Sequence, residues 1–237
     1  VCGRFAVTTD PARLAAQLDA VNETGIETGG ADCNPNYNIA PSTDIATVIA
    51  PHDEAGGEAV RRLRLMRWGM LPTWMKEGAR PLINARAETV TTSPAFRAAA
   101  KRRRCLVPMD GYYEWQAPAD AGGRKTPFYF FHTDGSPLLV AGLWEAAESA
   151  LTCTVITTDA VGELASVHSR MPLILGERDW DRWLDPDTPA PADLLTTPPD
   201  IGCIGMREVS TLVNRVANNG PELIEPAGPG NQPVGLF

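Results

Sequence analysis

From residue 105 to residue 157 the chain is a procession of short apolar or aromatic runs, each cut off by Gly, Pro or Asp before it reaches helical length. The runs are 105–109, 112–116, 127–132, 138–145 and 151–157. Such runs bounded by turn residues predict strands, and their close spacing predicts an antiparallel sheet curled on itself. Upstream, 45–49, 60–68 and 82–86 extend the β pattern; residues 60–68 alternate basic and apolar side chains, as a strand with one wet face does. Helices are few and peripheral. Thr9 or Asp10 can cap a first helix with Pro11 in its first turn and Leu14, Leu18 and Val21 at helical spacing, ended by Gly25, Gly29 and Gly30. A second starts at Ser93 and Pro94 and ends in the basic run 101–104, where cations suit the helix C-terminus. A third covers 177–184. Residues 185–199 read as a Pro-rich surface excursion, 208–213 as a late strand and 218–220 as a turn. The predicted class is α+β: a strand-dominated, barrel-like core with helices around it.

At 237 residues and 43% hydrophobic, the chain has enough apolar material for one core, so a disordered polypeptide is excluded. No apolar run approaches the roughly 18 to 20 residues of a membrane span, and no secretory signal pattern opens the chain, which makes a cytoplasmic protein the expectation. The net charge of −8 argues against a generally basic nucleic-acid binder. Its distribution argues otherwise. Residues 61–104 hold twelve basic residues and two acids, a local +10 that leaves −18 for the rest. That segregation points to an anionic ligand on one face, although a solvated helix and strand would look the same. The five cysteines, Cys2, Cys33, Cys105, Cys153 and Cys203, are scattered, and there are only three histidines. Neither a disulfide framework nor a zinc site fits, and phosphate-binding and dinucleotide loops are lacking.

The chemistry must come from a few side chains. A small second residue allows removal of the first, which would leave Cys2 with both an α-amine and a thiol. An α-amine is less basic than a lysine, has a substantial neutral fraction near pH 7, and adds to aldehydes as a Schiff base. The thiol can then close a five-membered thiazolidine ring. Gly3 permits close backbone approach, and Arg4 offers a phosphate-binding fork. Asn84 and Arg86 share one face of a predicted strand, an arrangement a turn-edge Asn beside a surface Arg would also give. Glu114 sits among the aromatics of Gly111-Tyr112-Tyr113-Glu114-Trp115, a setting for a general acid or base or for a structural carboxylate. His168 and Arg170 share a face before Pro172. Trp68 and Trp74, inside the basic region, are either base-stacking platforms or core residues.

Taken together, these segments resemble the SRAP (SOS response-associated peptidase) family, the abasic-site processing proteins. The matching pieces are Cys2-Gly3-Arg4-Phe5, Tyr37-Asn38-Ile39-Ala40-Pro41, Arg67-Trp68-Gly69, Ile83-Asn84-Ala85-Arg86-Ala87-Glu88-Thr89, Gly111 to Trp115, His168 to Pro172 and Asn218 to Leu223. The resemblance implies one domain over 1–225 and a loose tail over 226–237. It implies a partner, single-stranded DNA containing abasic sites, and a covalent thiazolidine crosslink through Cys2, with weak lyase activity and reversal. Asn84 would orient Cys2, Glu114 would shuttle protons, and His168 would assist sugar-ring opening. Arg4, Arg86 and Arg170 would hold phosphates, Asn38 would shape the pocket, and Trp68 or Trp74 would support bases. No metal or organic cofactor is implied. A cytoplasmic monomer, nucleoid-associated when on DNA, is expected.

Val1 stands where the family has an initiator Met, and a retained Val1 would turn the reactive amine into an amide. The active form is therefore expected to begin at Cys2. The competing readings are an N-terminal-nucleophile cysteine peptidase, acting on itself or on others, and a non-covalent single-strand binder.

Overall fold

A computed structural model describes residues 2–26, 34–52, 56–75, 78–120, 122–147 and 150–228. In chain order the strands are β1 (Phe5–Val7), β2 (Val21–Asn22), β3 (Asn36–Ile39), β4 (Asp44–Ile49), β5 (Arg62–Trp68), β6 (Asn84–Arg86), β7 (Arg104–Met109), β8 (Gly111–Gln116), β9 (Thr126–His132), β10 (Leu138–Ala147), β11 (Ala150–Asp159), β12 (Arg170–Pro172) and β13 (Ile204–Glu208). The helices are α1 (Pro11–Gln17), α2 (Arg97–Arg102), α3 (Glu177–Leu184) and α4 (Ala192–Thr196). The expected α+β class, strand-dominated with peripheral helices, holds.

Five strands close a barrel in the order β5, β4, β7, β10, β11, and the closing seam is the parallel pairing of β11 with β5 at Thr152↔Arg67 and Cys153↔Trp68. A second, antiparallel sheet runs β13-β9-β8-β1-β3. One buried cluster joins the two sheets, with Phe5, Tyr112 and Phe130 from the second and Met66, Trp68, Val107, Val140 and Val155 from the barrel. The alternate barrel residues Leu63, Leu106, Leu139, Ala141 and Ile156 belong to another cluster with Leu14, Ala99, Trp183 and Leu195 of the helices. Barrel strands buried on both faces read as continuous apolar runs, which is why 138–145 and 151–157 stand out in sequence.

Several expectations shift. Asp10 caps α1, its Oδ1 accepting from Arg13 N at 2.9 Å, but the helix stops at Gln17 and Val21 starts an exposed strand. Gly29 and Gly30 lie outside the described residues. The second helix begins at Arg97, and Arg104 is the first residue of β7, not a helix terminus. The excursion 185–199 contains α4, which buries Leu194 and Leu195; two adjacent leucines between prolines carry no helical period, so the sequence pattern hid it. The late strand is Ile204–Glu208, and Thr211–Asn214 forms a 3-10 turn. Of the tail, residues 226–228 are described: Pro226 bridges to Val209, and Ala227 N donates to Glu208 O at 2.9 Å. No helix among the described residues is long and apolar enough to cross a membrane.

Arg104 is 2% exposed and donates to the carbonyls of Trp183 at 2.6 Å, Ala100 at 2.9 Å and Thr188 at 2.8 Å, and to that of Asp185. Its guanidinium therefore ends both α2 and α3 and ties them to β7. Arg104→Met keeps the stem but orphans four carbonyls, so it is expected to destabilise the protein by about 3 kcal/mol in urea denaturation. Trp68 is fully buried against Phe5, whereas Trp74 is 63% exposed. Trp68→Ala should cost about 3 to 5 kcal/mol by the same measurement, and Trp74→Ala no more than about 0.5 kcal/mol.

Candidate active site

The pairing of β1 with β8, Phe5↔Tyr112, carries the chain start along Glu114. Cys2 N donates to Glu114 Oε1, and Asn84 Nδ2 donates to Cys2 O at 3.3 Å. Asn84 reaches this point because β6 lies parallel to β11, with Val155↔Asn84 and Thr157↔Arg86 in register. Three of the four residues expected to do the chemistry, from chain positions 2, 84 and 114, therefore meet. Gly111 permits the close packing of β8 on β9: a Cβ there would collide with the Phe130 carbonyl and the Tyr129 ring.

Cys2 is 0% and Glu114 3% exposed. Burial pushes the Cys2 thiol far above its ordinary range, and the neighbouring Glu114 carboxylate pushes it further. The phenol of Tyr112 is raised by its own burial, with the same two neighbours adding to the effect. Cys2 also has φ +24°, a backbone region that a residue with a side chain rarely adopts.

Arg170 opens β12, which pairs with β11 at Asp159↔Arg170, and His168 lies two residues before it. His168 Nδ1 accepts the Arg170 backbone N–H at 2.9 Å. Nδ1 also lies 3.3 Å from the Arg170 carbonyl oxygen; the shorter contact is with a backbone N–H, which can only donate, and it favours Nδ1 as the acceptor with the hydrogen on Nε2. Val167, one residue away, lies in the same buried cluster as Cys2.

The expected phosphate-holding arginines differ among themselves. Arg86 is exposed on β6. Arg170 is engaged internally: Nη1 donates to Glu88 at 2.6 Å and Asp159 at 2.7 Å, and Nη2 to Glu88 at 3.0 Å and the Thr157 carbonyl at 2.7 Å. Arg4 Nη1 donates to Asn38 Oδ1 at 2.7 Å and Val213 O at 2.9 Å, with the guanidinium 5.9 Å from the Trp115 ring. Both cations thus serve first as internal ties. Asn38 is buried, and its amide donates to the carbonyls of Val213, Arg215 and Asn218, so it shapes the 213–218 loop beside Arg4. Trp68 gives its Nε1–H to Ile83 O at 2.9 Å and has no exposed face to stack on a base, a correction to its expected role. Only Trp74 of that pair presents a ring to solvent.

The basic segment is also largely spent. Arg61 pairs with Asp181, Arg62 and Arg64 with Glu23, Arg67 with Asp44 and Arg103 with Glu145, while Arg104 is buried. Arg80, Arg86, Arg97, Lys101 and Arg102 remain exposed; Lys76 lies outside the described residues. The broad cationic face expected from the local +10 is therefore reduced to Arg80, Arg86 and the α2 residues Arg97, Lys101 and Arg102. Sequence reasoning missed Glu88 and Asp159, the carboxylates on Arg170. The alternation Asn84, Arg86, Glu88 was the available signal for the first. Among the described residues no group of three His, Cys, Asp or Glu is placed to hold a metal.

Residues 1–216 match the family described as SOS response associated peptidase (SRAP). Abasic site processing protein YoqW of Bacillus subtilis is 34% identical over 234 residues, covering 95% of this chain and 99% of its own. Abasic site processing protein YoaM of the same organism is 33% identical over 236 residues, covering 95% of this chain and 98% of its own. A crystal structure of a Bacteroides thetaiotaomicron protein superposes with a TM-score of 0.77 at 22% identity, covering 95% of this chain and 100% of its own, a likeness of fold. With the family match spanning nearly the whole chain and its motifs converging on Cys2, the protein belongs to the SRAP family.

Proposed function

We propose that the protein captures abasic sites in single-stranded DNA, with Cys2 as the residue that bonds to the lesion. The observation that carries this reading is the Cys2 nitrogen held on the buried Glu114 carboxylate, with Asn84 on the Cys2 carbonyl. The names of the two Bacillus relatives support the substrate class. A ring-opened abasic sugar is an aldehyde. The Cys2 α-amine adds to its carbon to give a carbinolamine, loss of water leaves an imine, and the thiol sulfur adds to the same carbon while its proton passes to the imine nitrogen. The product is a thiazolidine, one water is released, and nothing is oxidised or reduced. Glu114 takes a proton from the attacking amine and returns it to the departing hydroxyl. His168, with its hydrogen on Nε2, protonates the sugar ring oxygen as the ring opens. Arg86 and the exposed Trp74 contact the strand. The same imine can lose the 3′ phosphate by β-elimination, which accounts for a weak lyase side reaction.

The environment works against a cysteine peptidase. Acyl transfer by cysteine needs a thiolate, which forms beside cations and in partly exposed settings. The Cys2 thiol is buried next to a carboxylate and is pushed the other way. An amine-first route asks nothing of the thiol until the imine exists. A thiazolidine needs a free α-amine, so the reactive form begins at Cys2. Removing the preceding residue also removes the peptide torsion that holds φ at +24°.

Incubation with single-stranded oligonucleotides, followed by denaturing electrophoresis, should leave a shifted band with the abasic strand alone and none with Cys2→Ala. A complex that falls apart on denaturation, or peptide hydrolysis without an adduct, would overturn the reading. Glu114→Gln should slow adduct formation about a hundredfold with strand binding retained. Intact mass of the crosslinking species should begin at Cys2; a crosslinking preparation that keeps residue 1 would rule out the thiazolidine.

A further inference from the structure

Glu88 takes both Nη groups of Arg170, Oε1 from Nη1 at 2.6 Å and Oε2 from Nη2 at 3.0 Å, the two-bond geometry that fixes a guanidinium in orientation as well as position. Asp159 meets only Nη1 and is 83% exposed, against 45% for Glu88 and 11% for Arg170 itself. The Arg170 hydrogen bonds hold the Glu88 carboxyl below the usual carboxylate range, and Glu88 in turn raises Arg170. Arg170 is also the residue whose backbone N–H occupies His168 Nδ1. A physical line therefore runs from the Glu88 carboxylate through Arg170 to the imidazole. One short stretch, 84–88, supplies both ends of the arrangement: Asn84 on the Cys2 carbonyl and Glu88 on Arg170.

We propose that Glu88 is a positioning residue, which clamps Arg170 so that the 168–170 turn keeps His168 Nδ1 on the Arg170 N–H and Nε2–H directed outward to substrate. The inference rests on the role given to His168 in abasic-site capture. The clamp has a cost in affinity, because it withholds the Arg170 fork from phosphate and sets a carboxylate beside it. Loosening it therefore acts in opposite senses on strand binding and on chemistry, whereas damage to the fold alone lowers both.

Glu88→Gln keeps the shape and one acceptor but removes the charge and the second strong bond. Single-turnover crosslinking at saturating abasic oligonucleotide should fall about tenfold, while the dissociation constant for the undamaged strand stays equal or decreases. Asp159→Asn should change the rate by no more than about twofold. In ¹⁵N spectra of the free protein the neutral His168 ring should show bare Nδ1 and protonated Nε2, and Glu88→Gln should mix in the other tautomer. An unchanged saturating rate, a parallel loss of binding and rate, or an unchanged His168 ¹⁵N pattern would each overturn the clamp. Absence of any adduct with the unmutated protein would instead fell the functional reading, and the ¹⁵N comparison, made without DNA, would still decide whether Glu88 sets the imidazole.

Discussion

Strand β11 is the constraint on which both the barrel and the site depend. It pairs with β10 and then β12 along one edge, and with β5 and then β6 along the other. Its first half closes the barrel; its second half sets Asn84 and Arg86 on one side and Arg170 on the other. Side chains alternate along a strand, so a one-residue slip of β6 against β11 would turn Asn84 away from Cys2, and a one-residue slip of β11 against β10 would move its apolar residues to the wrong face. The apolar faces of β11, Cys153 and Val155 on one side and Ile156 on the other, are committed to different buried clusters. The register that the core enforces is therefore the register that assembles the site.

The charges obey a different logic. In the sequence the cations of 61–104 stand together, but in the fold several of them are matched with acids from distant positions: Arg61 with Asp181, Arg62 and Arg64 with Glu23, Arg103 with Glu145. These pairs are mostly half-buried, and whatever each adds to stability, together they neutralise much of the segment's charge. What remains is a modest cationic margin on a body of net charge −8. That balance suits the proposed capture of a single lesion; a strand-coating protein needs many phosphate contacts and a continuous basic track.

How much could be read beforehand follows from the range of the interactions. Local signals were sufficient for the barrel strands, for the cap at Asp10 and for α3, whose bounds match the pattern of its own residues, but not for the short strands β1, β2, β3 and β12. Trp68 and Trp74 flank one turn with similar composition, and nothing local says that one is sealed under Phe5 while the other faces water. Arg170 looked free for phosphate because its partners, Glu88 and Asp159, come from two other elements. The meeting of Cys2, Asn84 and Glu114 was expected from the family resemblance. Spacing could not have supplied it, since the Cys2 to Glu114 contact spans 112 residues.

Glu114 also gives the proposed reaction its order. A carboxylate beside a thiol disfavours the thiolate, and beside an α-amine it stabilises the ammonium, so the nucleophilic neutral amine forms when Glu114 itself takes the proton. One side chain thus treats the two nucleophiles of a single residue differently: in the proposed order nitrogen is released to attack by proton transfer to Glu114, and sulfur stays protonated until an imine carbon stands next to it. Sulfur then brings its own proton to the imine nitrogen, so ring closure needs no second base. Burial serves the same sequence, since a thiol kept from water and held protonated resists the oxidation and alkylation that would disable an exposed N-terminal cysteine.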